Sequence, residues 1–152
     1  MADQRLNKLA KLLVNYSTKV KPGDIVFVSC DEVATPWMVE VVKEAVKAGA
    51  LVETQLSSQD VSEMKLKYSS EEQLLSENIL YKTMLEKSDV WLSAWGNRNT
   101  KTNSRIDADK LKMFFKGAAS WRKIYSEKQP KRARTYLNHF LKLTKAPADL
   151  VR

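Results

Sequence analysis

The chain has 152 residues, 43% of them apolar and 29% charged, which are the proportions of one ordinary globular domain and not of a disordered chain. Four Gly and four Pro exclude collagen-like and low-complexity classes, and no apolar run approaches the roughly 18 residues that a membrane-spanning helix needs. The formal net charge of +8 is unevenly placed: residues 1–119 carry 17 Lys+Arg against 16 Asp+Glu, whereas residues 120–152 carry 9 against 2. A near-neutral body is thus followed by a basic tail, and any partner argued from charge concerns the tail alone.

The first predicted element is an amphipathic helix from Arg5 to Tyr16, with Leu6, Leu9, Ala10, Leu12, Leu13 and Tyr16 on one stripe at three- and four-residue spacing. Lys21-Pro-Gly-Asp24 then reads as a turn into a buried strand, Ile25 to Cys30, whose β-branched run is too short for a buried helix. Thr35 reads as an N-cap with Pro36 at the first helical position of a second helix, along which Met38, Val39, Val41, Val42, Ala45 and Val46 recur at helical spacing, and Gly49 suits the left-handed position just past its end. Leu51 to Leu56 follows as a more exposed strand. The three pieces form a β-α-β unit, so the two strands should be parallel.

Residues 58–87 carry no strand signal. Ser69-Ser-Glu-Glu72 has the capping-box pattern and opens a helical stretch that the run Ser76 to Asn78 splits in two. Val90 to Ala94 is a third strand, a polar loop runs from Trp95 to Asn103, and Asp107 caps a helix reaching about Ser126. Short strands alternating with helices predict an α/β fold with a small, open, mostly parallel sheet flanked by helices. After Lys128 the composition changes. Residues 129–152, opening on Gln129-Pro-Lys-Arg-Ala-Arg134, are expected to form a basic tail, helical by the spacing of Tyr136, Leu137, Phe140, Leu141 and Leu143 or else disordered, separate from an α/β domain of residues 1–128.

Most hydrolytic chemistry needs residues that are scarce here. Ser–His and Cys–His pairs and most zinc sites use histidine, and the single one, His139, lies in the tail. Gly23, Gly49, Gly96 and Gly117 are too scattered for a dinucleotide fingerprint or a phosphate loop. No catalytic or metal-ligating residue and no cofactor is therefore assigned within this chain. Ligands of open parallel sheets collect at the carboxyl ends of the strands, which singles out Asp31 and Glu32 after the first strand and Asn97, Arg98 and Asn99 after the third. The plain reading of these loops is solvated turn residues. Cys30 reads as a structural thiol, since no histidine adjoins it, and the four tryptophans read as core. Lys131, Arg132 and Arg134 with Tyr136 nearby are the residues a nucleic acid would meet, although a solvated tail accounts for them.

Read in order, Leu12-Leu-Val-Asn-Tyr-Ser17, Val20-Lys-Pro-Gly-Asp24, Val46-Lys-Ala-Gly-Ala50, Ser88-Asp-Val90 and Gly96-Asn-Arg-Asn-Thr-Lys101 resemble the amino-terminal domain of the thermophilic-type metalloaminopeptidases, the aminopeptidase T and aminopeptidase S family. The resemblance covers about residues 5 to 128. It implies a cytoplasmic, usually dimeric exopeptidase that removes amino-terminal residues from peptides with a pair of divalent metal ions. The family's Glu, His and Asp ligands belong to a carboxy-terminal domain that the resemblance does not reach. No ligand is carried over to a position of this chain, and the chain alone is expected to be inactive. The tail departs from the family pattern, as an out-of-frame read or a truncated gene would make it; a short protein with its own basic helix would look the same. The alternative, from a different class, is an α/β dimerisation or docking module that binds a second copy or a full-length relative, with which the neutral body and the aromatic residues at the strand-to-helix connections are compatible. The absence of a secretory pattern in Met1-Ala-Asp-Gln-Arg-Leu6 and the lone cysteine make the cytoplasm the expected location, with no membrane partner.

Overall fold

The structure, a computed structural model, describes residues 3–96, 106–127 and 131–136. Helix α1 (Gln4–Lys11) starts where the Asp3 carboxylate accepts from the Arg5 N–H at 2.9 Å, and it continues as a wider π-type turn over Leu12–Ser17. That turn closes on Thr18, whose N–H and hydroxyl both donate to the Leu13 carbonyl. Strand β1 (Ile25–Asp31), a 3-10 turn (Glu32–Ala34), helix α2 (Thr35–Lys47) and strand β2 (Leu51–Ser57) follow. Thr35 is not the cap of α2. Its hydroxyl donates to the Glu32 carbonyl at 2.6 Å inside the preceding 3-10 turn.

Three helices, α3 (Gln59–Tyr68), α4 (Glu71–Leu75) and α5 (Ile79–Lys87), lead to strand β3 (Val90–Trp95). The capping box falls one residue later than its sequence pattern. Ser70 Oγ accepts from the Gln73 N–H while Gln73 Oε1 accepts from the Ser70 N–H. Helix α6 (Ala108–Gly117) is capped by Asp107 as expected, but the chain breaks at Ala118 and α7 (Ala119–Glu127) begins anew. Strand β4 (Lys131–Tyr136) ends the described chain.

The sheet is parallel throughout, in the order β2-β1-β3-β4. The α/β class and open parallel architecture expected from the sequence are therefore present. The helix expected after Pro130 is corrected over residues 131–136, where Lys131, Arg132 and Arg134 register opposite Val90, Trp91 and Ser93 of β3. Lys-Arg-Ala-Arg has no apolar stripe, and its backbone instead satisfies the open edge of β3. The remainder of the tail, with His139, lies outside the described residues.

Alternation along the strands divides the core in two. Val26, Val28 and Cys30 of β1 and Val90, Leu92 and Ala94 of β3 face one side, where they pack with Leu6, Ala10, Trp37 and Val41 of α1 and α2. Phe27 and Trp91 face the other side, against Leu85 with Tyr81, Met84, Trp121 and Ile124 of α5 and α7. Helices thus cover both faces of the central strands. Strand β2 stays exposed at the edge, as its alternating composition predicts.

The two turns before β1 and β2 dock on each other. The Gly23 N–H donates to the Gly49 carbonyl at 2.9 Å, and Gly49 has φ +85° with Pro22 Cα 3.1 Å from where a Cβ would stand. Glycine is needed there for both conformation and space. At the start of β3, Asp89 Oδ2 accepts from the Ile25 N–H at 2.9 Å and the Asp89 N–H donates to the Ile25 carbonyl, which sets the β1–β3 register.

Candidate functional site

In the order β2-β1-β3 the chain leaves β1 toward β2 on one side and returns to β3 on the other. The strand order therefore reverses at β1 and β3, and this reversal point is where open parallel sheets bind ligands, outside the strands' carboxyl ends. Asp31 ends β1 there, and its Oδ2 accepts from the Gly96 N–H at 3.0 Å, just past β3. The sequence expectation that the loops after the first and third strands emerge on one edge is met at these two residues.

A cleft of about 580 Å³ opens at this edge. Cys30, Asp31 and Gln55 at the ends of β1 and β2 form part of its floor, with Trp95 at the end of β3. Lys65 of α3, Gln73 of α4 and Asn78 before α5 contribute polar groups, while Tyr81, Phe114 and Trp121 supply ring surface. Tyr81 meets Trp121 edge to face at 5.1 Å between centroids and Phe27 at 5.7 Å, so the aromatic wall is continuous with the second core. The size falls in the range of about 300–1,000 Å³ usual for small-molecule sites.

The polar groups are held by local structure. Asn78 caps α5, its Oδ1 accepting from the Tyr81 N–H at 3.1 Å, and Gln73 belongs to the capping box of α4. Gly117 brings α6 onto α4: a Cβ at this position would collide with the Leu74 carbonyl oxygen and come within 3.0 Å of the Leu75 carbonyl. The cleft wall is built on that close approach.

Burial raises the pKa of the Asp31 carboxyl, a rise that the Gly96 N–H opposes and the Glu32 charge reinforces. An acid whose pKa is raised by folding destabilises the fold once it ionises. Asp31→Asn, which keeps an oxygen for Gly96, is therefore expected to match the wild type in urea unfolding at pH 3. It should become the more stable chain as pH rises through the ordinary carboxylate range toward neutrality. A constant difference across pH would contradict the assignment. The buried Cys30 thiol is pushed up to about 12, chiefly by burial and further by the Asp31 charge. It is expected to react with a thiol-specific disulfide reagent at pH 8 only on the timescale of unfolding; rapid labelling of the folded chain would show otherwise.

Of the residues singled out by sequence, Asp31 lies in the cleft, while Glu32 begins the adjoining 3-10 turn and is not among the lining residues. Asn97, Arg98 and Asn99 lie outside the described residues. Lys131, Arg132 and Arg134 lie on edge strand β4. The core assignment holds for Trp37 and Trp91, but Trp95 is 50% exposed and stands at the cleft, because the last residue of β3 has passed beyond the helices that cover the sheet. Sequence reading missed Lys65, Gln73, Asn78, Tyr81 and Phe114. The only signals for them were the capping pattern and the break before α5, which mark helix starts and not their common direction.

Among the described residues no group of three or more His, Cys, Asp or Glu side chains is placed to hold a metal ion. No helix of the described residues is long and apolar enough to cross a membrane. The molecule is thus an α/β domain with a mixed aromatic and polar cleft at the carboxyl edge of a parallel sheet. The model of the thermophilic metalloprotease (M29) family matches residues 2–141, and the chain belongs to that family. Among solved structures, wild-type AmpT from Thermus thermophilus aligns with a TM-score of 0.73 at 18% identity, covering 88% of this chain and 36% of that one. The chain thus spans little more than a third of that protein's length, and the likeness shows the shared fold. CurK enoyl reductase aligns at a TM-score of 0.38 and 12% identity, covering 93% of this chain and 44% of that chain, a likeness that carries no argument. Comparison with curated proteins finds no match.

Proposed function

We propose that this chain is the amino-terminal-type domain of a metal-dependent aminopeptidase acting on peptides, and that the metal-binding and catalytic groups lie outside it. The observation that carries this reading is the family match over residues 2–141, to which the fold likeness to AmpT adds. The residues present do not fit the pair of divalent ions that the family resemblance implies: the described part holds no three-donor group, and the whole sequence has one histidine. No reaction step is therefore assigned to its side chains. In this reading the peptidase works in the cytoplasm as a homo-oligomer, or this chain docks on a longer relative.

The purified chain, supplied with cobalt or zinc and amino-acid p-nitroanilides, is expected to release no p-nitroaniline above the metal-only blank. Release that a chelator abolishes would overturn the reading. One observation favours a second reading, a docking module without enzymatic activity: β2 is an edge strand that leaves Leu51 and Leu56 exposed. A strictly monomeric chain in sedimentation equilibrium would count against it.

A further inference from the structure

Three side chains of the cleft lining are left as donors. Gln73 spends its carbonyl oxygen on the Ser70 N–H at 2.8 Å, and Asn78 spends its own on the Tyr81 N–H at 3.1 Å. Each is left with an amide NH₂, which only donates. Lys65 adds an ammonium that makes no ion pair with any described residue. All three donors are exposed and line the same cleft, where they can receive a carboxylate or another acceptor-rich group. Opposite in character is the floor, where Asp31 commits Oδ2 to Gly96 and keeps a second carboxylate oxygen. Its ionised form is short of stabilisation in this half-buried place, and a cationic donor would supply it. Trp95 and Phe114 offer partly exposed ring surface at the same opening, so a flat apolar group has somewhere to lie.

We propose that the cleft binds a free α-amino acid with an aromatic side chain, its carboxylate received by Lys65, Gln73 and Asn78, its ammonium by Asp31, and its ring by Trp95 and Phe114. One zwitterion uses the donor wall, the single carboxylate and the aromatic surface together. A simple aromatic acid leaves Asp31 without a partner, and an aromatic amine leaves the donors without one. Binding needs no metal and no catalysis, and failure here leaves the peptidase reading standing.

The test is isothermal titration calorimetry of the full 152-residue chain at pH 8 with L-phenylalanine, 3-phenylpropanoate and 2-phenylethylamine. Phenylalanine is expected to bind, with each analogue weaker by about tenfold or more, the loss typical of one charge-assisted hydrogen bond. Asp31→Asn should cost phenylalanine about tenfold and leave 3-phenylpropanoate unchanged, whereas Lys65→Met should weaken both. Lys65 is exposed and Asp31→Asn keeps its acceptor for Gly96, so both variants should fold, which circular dichroism checks. No binding of phenylalanine to the folded chain would overturn the proposal. So would an analogue that loses less than tenfold, or an Asp31→Asn chain that binds phenylalanine as the wild type does.

Discussion

Gly117→Ala is expected to lower stability by about 2 kcal/mol, the cost of forcing an extra carbon into a packed contact. Helix propensity alone gives the opposite sign, since Gly117 ends α6 and alanine is favoured over glycine in a helix by about 1 kcal/mol. Packing wins because the obstructing atoms are the carbonyl groups of Leu74 and Leu75, which belong to the backbone of α4 and cannot rotate aside. Separating α6 from α4 would also move Gln73 and Phe114 apart across the cleft. Urea unfolding distinguishes the two signs: a Gly117→Ala variant more stable than the wild type would show that the helices approach less closely than described.

Trp37→Ala should be more damaging still, by about 3–5 kcal/mol, which is the usual cost of removing a fully buried large aromatic side chain. Trp37 is 1% exposed and belongs to the core formed by α1, α2 and the sheet. Its indole N–H has no hydrogen-bond partner among the described residues. Trp37→Phe therefore removes an uncompensated donor along with part of the volume, and it should cost clearly less than Trp37→Ala. Equal losses in the two variants, measured by urea unfolding, would mean that the indole N–H is satisfied and that its hydrogen bond is what matters.

The sequence was most legible where one local rule had no competitor. The β-branched run from Ile25, the positive φ at Gly49 and the Asp107 cap each follow from a residue's own chemistry, and each is found. Legibility failed where the environment decided. The edge of β3 draws Lys131–Tyr136 into a strand despite helical spacing downstream, and the close approach at Gly117 lies just before a break that periodicity ran straight through. Helix α3, with a weak apolar stripe and no buried residue, gave no signal of its own. The cleft was legible only at its floor. Asp31 follows from the rule that parallel sheets bind at their carboxyl ends, whereas Lys65, Gln73 and Asn78 come from helices whose convergence no linear spacing encodes.

On the proposed reading, this metalloprotease-family fold has its metal-binding groups outside this chain. Equilibrium dialysis of the folded chain against micromolar zinc, with bound metal counted by mass spectrometry, tests it most directly. The expected result is well under one zinc per chain. Two zinc ions held per chain, released by chelation and restored on readdition, would contradict it.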